Sequence, residues 1–453
     1  MKSRKTLIRA LVLASAPLVA ASAGATDGYF SHGYGMKAKG MAGASTAMTV
    51  DSFGGANNPA QMVFVGDRID FGVDAFSPQR SASRSGSNVG IDGSADSDST
   101  LFAIPEFGFN KLINPNLSLG VTVYGNGGMN TDYPGDQIPQ GTACGQAPAG
   151  FNPAPGPYNL LCGNGRLGVD LSQLVIAPTV AYKVAEKHAL GISPLFGYQR
   201  FKADGLQAFD SFPGLSTSTG NVTNRGYDTA SGWGARIGWL GRLTDDLTLG
   251  AAYSTKVAMS KFDKYKGLFA EGGGFDMPEN YNVGLAFKVS PTVTVAADYQ
   301  RINYSKVASV GNPSSLLLNC PALGGSDPNA CLGGSNGAGF GWHDVNIWKL
   351  GVEYRHSDQL TLRGGYNHSD NPIKAADVTF NILAPGVVQD HVTLGLTYTF
   401  QGGGELTAAY MHAFQNSVTG SSLFSPLVAP GTAGNETIKM YENSLGIAYG
   451  WKM

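Results

Sequence analysis

From residue 67 onward the sequence is a series of short segments in which apolar and polar residues alternate. In the last segment Tyr441, Leu445 and Ile447 fall on one face, whereas Glu442 and Ser444 fall on the other. A period of two is that of a β-strand with one apolar face. After residue 25 no stretch is long and apolar enough for a membrane helix, which needs about 20 residues. Strands must therefore build this chain.

Fourteen such strands are predicted, and the connections between them alternate between seven long loops and six short turns. The predicted strands are residues 68–76, 101–112, 117–124, 171–182, 189–201, 231–243, 247–257, 280–289, 292–304, 345–354, 360–367, 391–400, 405–414 and 440–451. Bacterial outer-membrane barrels alternate in this way, because a sheet in hydrocarbon must close on itself to pair its backbone. A soluble β-sandwich also alternates, but its loops would not alternate so regularly in length. We predict an all-β fold, a 14-stranded antiparallel transmembrane β-barrel over residues 67–453.

Residues 1–25 have the pattern of a secretory signal peptide. A basic start is followed by an uncharged stretch that ends in Ala23-Gly24-Ala25, a small-x-small cleavage site. Without this segment the chain keeps 27 basic and 33 acidic residues, a net charge of −6. That balance does not favour nucleic acid as a partner. We expect a Gram-negative outer-membrane protein that contacts lipid and lipopolysaccharide and needs no second copy to close its sheet.

Residues 26–66 fit no strand pattern and contain Gly, Ala, Met and Ser in small clusters. A fourteen-strand barrel has an interior too wide for its own side chains to fill. We therefore predict an N-terminal hatch, or plug, inside the lumen. A mobile periplasmic arm is the alternative.

The four cysteines form two local pairs, each within one long loop. In a secreted chain such pairs are typical of disulfides, here Cys144–Cys162 and Cys320–Cys331, although free thiols are the alternative. The spacing of zinc sites is absent, so we expect neither a metal nor a cofactor.

Several motifs, in this order, are similar to those of the FadL family of outer-membrane transporters for long-chain fatty acids and other hydrophobic compounds. The resemblance covers nearly the whole chain after the signal peptide. The motifs are Asn58-Pro59-Ala60, residues 124–133, Met277-Pro278-Glu279-Asn280-Tyr281, residues 350–354, residues 360–366 and Asp370-Asn371-Pro372.

The resemblance implies that loops capture a ligand, an internal pocket binds it, and it leaves sideways where the third strand bends inward. Asn58, Pro59 and Ala60 would belong to the hatch. The segment Gly125-Asn126-Gly127-Gly128 offers a physical basis for the lateral opening, because glycines weaken a strand and allow a bulge. The alternative is that the strand simply ends there.

Two loops are unusually apolar and are predicted to bind substrate, although their residues could instead pack on each other. They contain Leu206, Phe209, Phe212 and Leu215 in one loop, and Tyr265, Leu268, Phe269, Phe275 and Met277 in the other. A fatty acid also requires a cation for its carboxylate. Alternation directs Arg236, Lys256, Lys349 and Arg363 inward, and we select Arg236 and Arg363 as candidates.

The sequence does not predict an enzyme, because its seven histidines show no catalytic spacing. The predicted function is inward transport of hydrophobic small molecules, most specifically long-chain fatty acids. Uptake of aromatic hydrocarbons is the alternative, followed by a passive porin or a surface adhesin.

Overall fold

The computed structural model describes residues 27–146, 150–428 and 433–453, so the predicted signal peptide lies outside the described residues. Fourteen long antiparallel strands form one sheet. They are β1 (Arg68–Ser85), β2 (Phe102–Asn114), β3 (Leu117–Tyr133), β4 (Leu167–Ala185), β5 (His188–Asp204), β6 (Asp228–Arg242), β7 (Leu247–Ser254), β8 (Asn280–Ser290), β9 (Val293–Ile302), β10 (Val345–Arg355), β11 (Leu360–Ser369), β12 (Asp390–Thr399), β13 (Gly404–Ser421) and β14 (Asn435–Lys452).

The sheet closes into a barrel because β1 pairs with β14 along its whole length, from Arg68 opposite Lys452 to Ser85 opposite Asn435. Every other long strand pairs with its neighbours in chain order. Two short strands extend this sheet, Gly93–Asp96 beside β1 and Ala258–Met259 beside β6. The predicted fold and strand number are therefore confirmed.

The two faces of the barrel wall differ as the alternation predicts. On β14 Leu445 is 55% exposed, whereas Glu442 on the opposite face is fully buried. The outward faces of the other strands are likewise apolar, with Leu394 on β12 at 67% exposure. An apolar exterior around a polar interior is the arrangement of a membrane-spanning barrel. Within the described residues no helix has the length and hydropathy of a membrane span.

Residues 27–66 fill the lumen, which confirms the predicted plug. They contain three one-turn α-helices, α1 (Met36–Lys39), α2 (Gly54–Asn57) and α3 (Met62–Val65), and a 3₁₀ turn over Pro59–Gln61. Ion pairs of 2.5 and 2.6 Å join Lys37 to Glu405 and Lys39 to Asp74 on the wall. The plug ends near the short turns, where Phe64 packs against Lys183 and Arg242.

The long loops pack on one another above the plug. Both predicted disulfides, Cys144–Cys162 and Cys320–Cys331, are present. The short helices of the loops are Gln207–Ser211, Asp263–Tyr265, Ala270–Gly273, Tyr304–Lys306, Ala308–Gly311, Ser314–Asn319, Pro321–Leu323, Pro328–Ala330, Ala375–Asp377, Val378–Asn381 and Ser425–Val428. They cover the long-loop end of the barrel with a buried apolar cluster.

Several strands are longer than predicted, β1 and β3 by the most, and one residue points elsewhere. β1 continues from Phe76 to Ser85, and β3 continues from Tyr124 to Tyr133. Both extensions are polar or glycine-rich, so neither shows the apolar alternation of a lipid-facing strand. β7 ends at Ser254, and Lys256 lies outside the strand, 46% exposed and paired with Asp276 rather than pointing inward.

Candidate transport path

The barrel wall has a gap between β2 and β3. Their ladder begins at the turn between them and ends at Phe107 opposite Val123. Beyond that point the described ladders pair β2 only with β1, and β3 only with β4. Near the loops the segment that precedes β2 contacts β3, where the backbone N–H of Asp98 donates to the carbonyl oxygen of Asp132 at 2.9 Å. The gap is therefore a window in the wall.

A bulge in β3 bends this strand at the window. The register to β4 shifts between Gly125 and Gly127, so that Asn126 is an extra residue. The Asn126 carbonyl oxygen accepts from the N–H of Ser31 in the plug at 3.3 Å, and its amide donates to Gln173 at 3.0 Å. The predicted glycine segment thus stays within the strand and bonds to the plug instead of to β2.

The backbone of the plug contacts the backbone of β3 directly at Gly127. Phe30 forms an isolated bridge with Gly127, and the N–H of Gly128 donates to the carbonyl oxygen of Tyr29 at 3.2 Å. A Cβ atom on Gly127 would collide with that carbonyl group of Tyr29. A glycine is needed here because two backbones approach each other directly.

An apolar cavity of about 490 Å³, the outer cavity, lies among the loops. Four of the nine predicted loop residues line it, namely Leu206, Phe209, Leu268 and Phe269. A neighbouring space of about 290 Å³ is lined by Phe209 and Leu215 among other apolar side chains. These linings are mainly hydrophobic and aromatic, as is usual for small-molecule pockets.

A second cavity of about 330 Å³, the inner cavity, lies between the plug and the wall. Tyr29, Phe76 and Trp342 give it aromatic walls, and Gly128 and Met129 of β3 also line it. Arg80 lines it as well and is only 5% exposed. The guanidinium group of Arg80 donates to the carbonyl oxygens of Asn130 and Ser99 and forms no ion pair within the described residues.

The third cavity, the exit cavity, measures about 430 Å³ and lies at the window. Its lining is Ser31, His32, Tyr34, Lys39, Asp74, Phe76, Ile104, Glu106, Tyr124, Gly125 and Met411. Lys39 is paired with Asp74 at 2.6 Å, while Glu106 accepts the N–H of Gly35 at 3.1 Å. Burial lowers the pKa of the His32 ring well below its usual range, and His391 adds to this effect.

The three cavities are neighbours along one route. Leu383 lines the outer cavity and the next residue, Ala384, lines the inner one. Phe76 lines both the inner and the exit cavity. Gly125 brings the route to the window between β2 and β3. The three cavities therefore follow one another from the loops to the window.

The remaining predicted loop residues order the loops around these cavities. The hydroxyl group of Tyr265 accepts from the N–H of Ala203 at 3.1 Å and donates to the carbonyl of Gly226 at 2.6 Å. Phe275 packs against the ring of Tyr29 with ring centroids 6.2 Å apart. The ring centroids of Phe212 and Phe151 lie 6.4 Å apart, and Met277 is buried against the barrel wall.

Neither predicted arginine lines a described cavity. Arg236 donates to the carbonyl oxygens of Ala56 and Asn57 in the plug and, at 2.9 Å, to Asn280. Arg363 is held by Glu353 on the neighbouring strand, with 2.7 Å between their charged groups, and by Thr397. Both point inward as predicted, but they hold the plug and the wall in place.

The predicted hatch motif ties the plug to the wall. The amide of Asn58 donates to the carbonyl oxygens of Thr46 and Trp239, each at 2.9 Å. Its side-chain oxygen accepts from the N–H of Ala60 at 3.1 Å, which begins the turn at Pro59. The motif therefore fixes the plug backbone against β6.

Sequence reasoning missed two charged residues that line the cavities, Arg80 and Glu106. Arg80 falls in a serine-rich run that resembles a loop, although Arg80, Ala82 and Arg84 alternate with serines. That alternation is the signal that could have extended β1. Glu106 follows Pro105, and proline disfavours the interior of a sheet. Here Pro105 is tolerated because β2 has no partner on its β3 side at this position.

Comparisons with known proteins agree with this architecture. A family sequence model described as "Outer membrane protein transport protein (OMPP1/FadL/TodX)" matches residues 163–425, which is more than half of the chain. No curated protein sequence matches the chain.

Three solved structures share the fold at low sequence identity. The P. putida toluene transporter TodX has a TM-score of 0.64 at 17% identity, covering 93% of this chain and 99% of that one. A Pseudomonas aeruginosa FadL homologue has a TM-score of 0.64 at 14% identity, with coverages of 94% and 99%. The Ralstonia pickettii toluene transporter TbuX has a TM-score of 0.61 at 16% identity, with coverages of 93% and 99%.

The barrel, its plug and the family match lead to one assignment. The chain belongs to the OMPP1/FadL/TodX family, whose members transport hydrophobic compounds across the outer membrane of Gram-negative bacteria.

Proposed function

We propose that this protein takes up long-chain fatty acids by capturing them at the loops and releasing them sideways through the window between β2 and β3. The observation that carries the proposal is the row of cavities that ends at an unpaired stretch of wall. Apolar and aromatic side chains line every cavity of this row, from Leu206 and Phe269 in the outer cavity to Tyr124 in the exit cavity. The plug below it closes the direct route to the periplasm.

The inner cavity supports a substrate with an acidic head group. Arg80 is buried and donates only to backbone carbonyl groups among its described hydrogen-bond partners. A guanidinium group without a carboxylate partner can bind a carboxylate strongly, because hydrogen bonds between charged groups are among the strongest in proteins. We propose Arg80 as the head-group site, in place of Arg236 and Arg363.

Aromatic hydrocarbons are the second candidate. Tyr29, Phe76 and Trp342 surround the inner cavity, and flat aromatic walls suit an aromatic ligand. Two of the similar structures are named as toluene transporters, which supports this candidate without deciding it.

We propose that a single barrel performs this transport. β1 and β14 pair over their whole length, so the sheet closes on itself without a second copy. The apolar exterior would lie directly in lipid and in the acyl chains of lipopolysaccharide.

The experiment is uptake of labelled oleate by a Gram-negative strain that lacks its own fatty-acid transporter. Gly125 lines the exit cavity, so Gly125→Phe would fill it; Gly402→Phe lies on a short turn where a Cβ meets no atom within 4 Å. We expect uptake by the wild type and the Gly402 variant, and a loss of about tenfold or more in the Gly125 variant. Uptake by both variants would exclude the window as the exit. No oleate uptake by an inserted wild-type barrel would exclude fatty acids and favour aromatic hydrocarbons.

A further inference from the structure

The inner and exit cavities differ in charge although they share Phe76. The inner cavity has Arg80 and no acidic residue in its lining. The exit cavity has two carboxylates, Asp74 and Glu106, and one lysine, Lys39. A substrate that moves from one cavity to the other therefore passes from a lining with one basic residue to a lining with two acidic residues and one basic residue.

The lysine of the exit cavity is already neutralised. The amino group of Lys39 lies 2.6 Å from Asp74, and both side chains are less than 9% exposed. His32 does not supply a second cation, because its burial favours the neutral ring. The exit cavity thus offers no unpaired cation among its described lining residues.

Glu106 adds a further acceptor. It is 7% exposed, and only one of its carboxylate oxygens has a described partner, the N–H of Gly35. The second oxygen atom is buried without a hydrogen-bond partner among the described residues, and so is one oxygen of Asp74. These atoms suit a ligand that donates a hydrogen bond, such as an alcohol or a protonated acid.

An anionic head group would be disfavoured in this cavity for two reasons. A carboxylate loses its hydration there without gaining a cation, and burial of an unpaired charge is costly. Like charges placed side by side in a buried site also repel strongly. A neutral molecule of the same length avoids both costs.

We propose that the exit cavity is a charge filter, in which Glu106 and the Lys39–Asp74 pair admit uncharged molecules to the window and reject carboxylates. This inference rests on the proposed function. It defines the substrate that leaves the barrel as a neutral hydrophobic molecule, and a fatty acid would leave in its protonated form.

The test compares two labelled compounds with the same chain, oleate and oleyl alcohol, supplied together to the transporter-deficient strain. Glu106→Gln removes the charge but keeps an oxygen for the N–H of Gly35. Asp74→Asn is the second variant, because it would leave Lys39 without its partner and so give the cavity a free cation. Glu186→Gln, an exposed carboxylate on the short turn between β4 and β5, is the matched control. Heat-modifiable migration in gels verifies that each barrel is folded.

We expect the ratio of oleate to oleyl alcohol uptake to rise about tenfold in the Glu106 and Asp74 variants, and to stay at the wild-type value in the control. An unchanged ratio in a folded Glu106 or Asp74 variant that still takes up both compounds would overturn the charge filter alone. Uptake of neither compound by the wild type would overturn the proposed function, and the filter with it.

Discussion

The side-chain amide of Asn58 donates to the carbonyl oxygen of Trp239 at 2.9 Å and so joins the plug to β6. The same amide donates to Thr46 within the plug. Gly238, beside Trp239, leaves room for this contact, because a Cβ there would collide with the Asn58 side chain. Plug and wall are therefore held by a buried polar contact at this position.

Asn58→Ala should loosen the plug without unfolding the barrel. The change removes the hydrogen bonds of the Asn58 amide to the carbonyl oxygens of Thr46 and Trp239, each worth roughly 0.5–1.5 kcal/mol. We expect faster hydrogen exchange in residues 27–66 and higher sensitivity of the cells to vancomycin. Asn336→Ala, in an exposed loop position, is the control. Equal exchange in the two variants would show that Asn58 does not hold the plug.

Arg80→Met should weaken the binding of acidic ligands and leave the binding of neutral ligands nearly unchanged. Loss of a charged hydrogen bond to a carboxylate weakens binding by about 1.5–3 kcal/mol, which is at least about tenfold. We expect purified protein to bind labelled oleate at least tenfold more weakly, whereas binding of toluene changes little. Lys187→Met, on an exposed short turn, controls for loss of positive charge. If the binding of oleate and the binding of toluene weaken by the same factor, Arg80 supports the cavity structurally and does not bind the head group.

The architecture was predictable because lipid imposes a strict period of two on the wall. The alternation of Leu445 and Ile447 with Glu442 and Ser444 survives in the structure as an exposed and a buried face. The loop disulfides were predictable for a similar reason, since their cysteines are close in sequence. The strand alternation and the disulfides both depend on residues that are close together in the sequence.

The roles of the charged residues were less predictable, because contacts with the plug determine which inward-facing groups remain beside a cavity. Arg236 and Arg80 both face the lumen, yet the carbonyls of Ala56 and Asn57 engage Arg236, whereas Arg80 borders a cavity. No periodicity encodes which of them the plug covers. The paired state of Lys39 likewise depends on where α1 meets β1.

Removal of the Cys320–Cys331 disulfide should loosen one wall of the outer cavity. Leu332 and Phe340, in the same loop, line that cavity. In the loop-entropy description a crosslink over a span of 11 residues stabilises by roughly 3 kcal/mol. We expect the double change of both cysteines to serine to accelerate proteolysis of this loop and to lower oleate uptake at limiting concentration. Ser315→Ala, exposed in the same loop, should change neither proteolysis nor uptake. If the double cysteine variant and the Ser315 variant are cleaved at equal rates, packing alone orders the loop.

Asp51 should make the anchoring of the plug depend on pH. Burial raises the pKa of this plug carboxyl group to about 6, and the nearby carboxylate of Asp70 adds to the effect of burial. The folded protein therefore holds the proton more tightly than the unfolded chain. The corresponding stabilisation, at most about 3 kcal/mol, is complete below about pH 4 and is lost as the pH rises through about 6.

Asp51→Asn tests this dependence, because an amide is neutral throughout the range and keeps an oxygen for the N–H of Phe53, which Asp51 accepts at 3.0 Å. Hydrogen exchange of residues 27–66 is measured at pH 5 and pH 7.5 and corrected for the intrinsic rate. We expect the protection of the wild-type plug to fall between these values, and that of the variant to fall by less. Asp136→Asn, an exposed loop carboxylate, should retain the wild-type change. Equal changes in all three proteins would show that Asp51 does not titrate in this range, and that other buried groups of the lumen set the pH response of the plug.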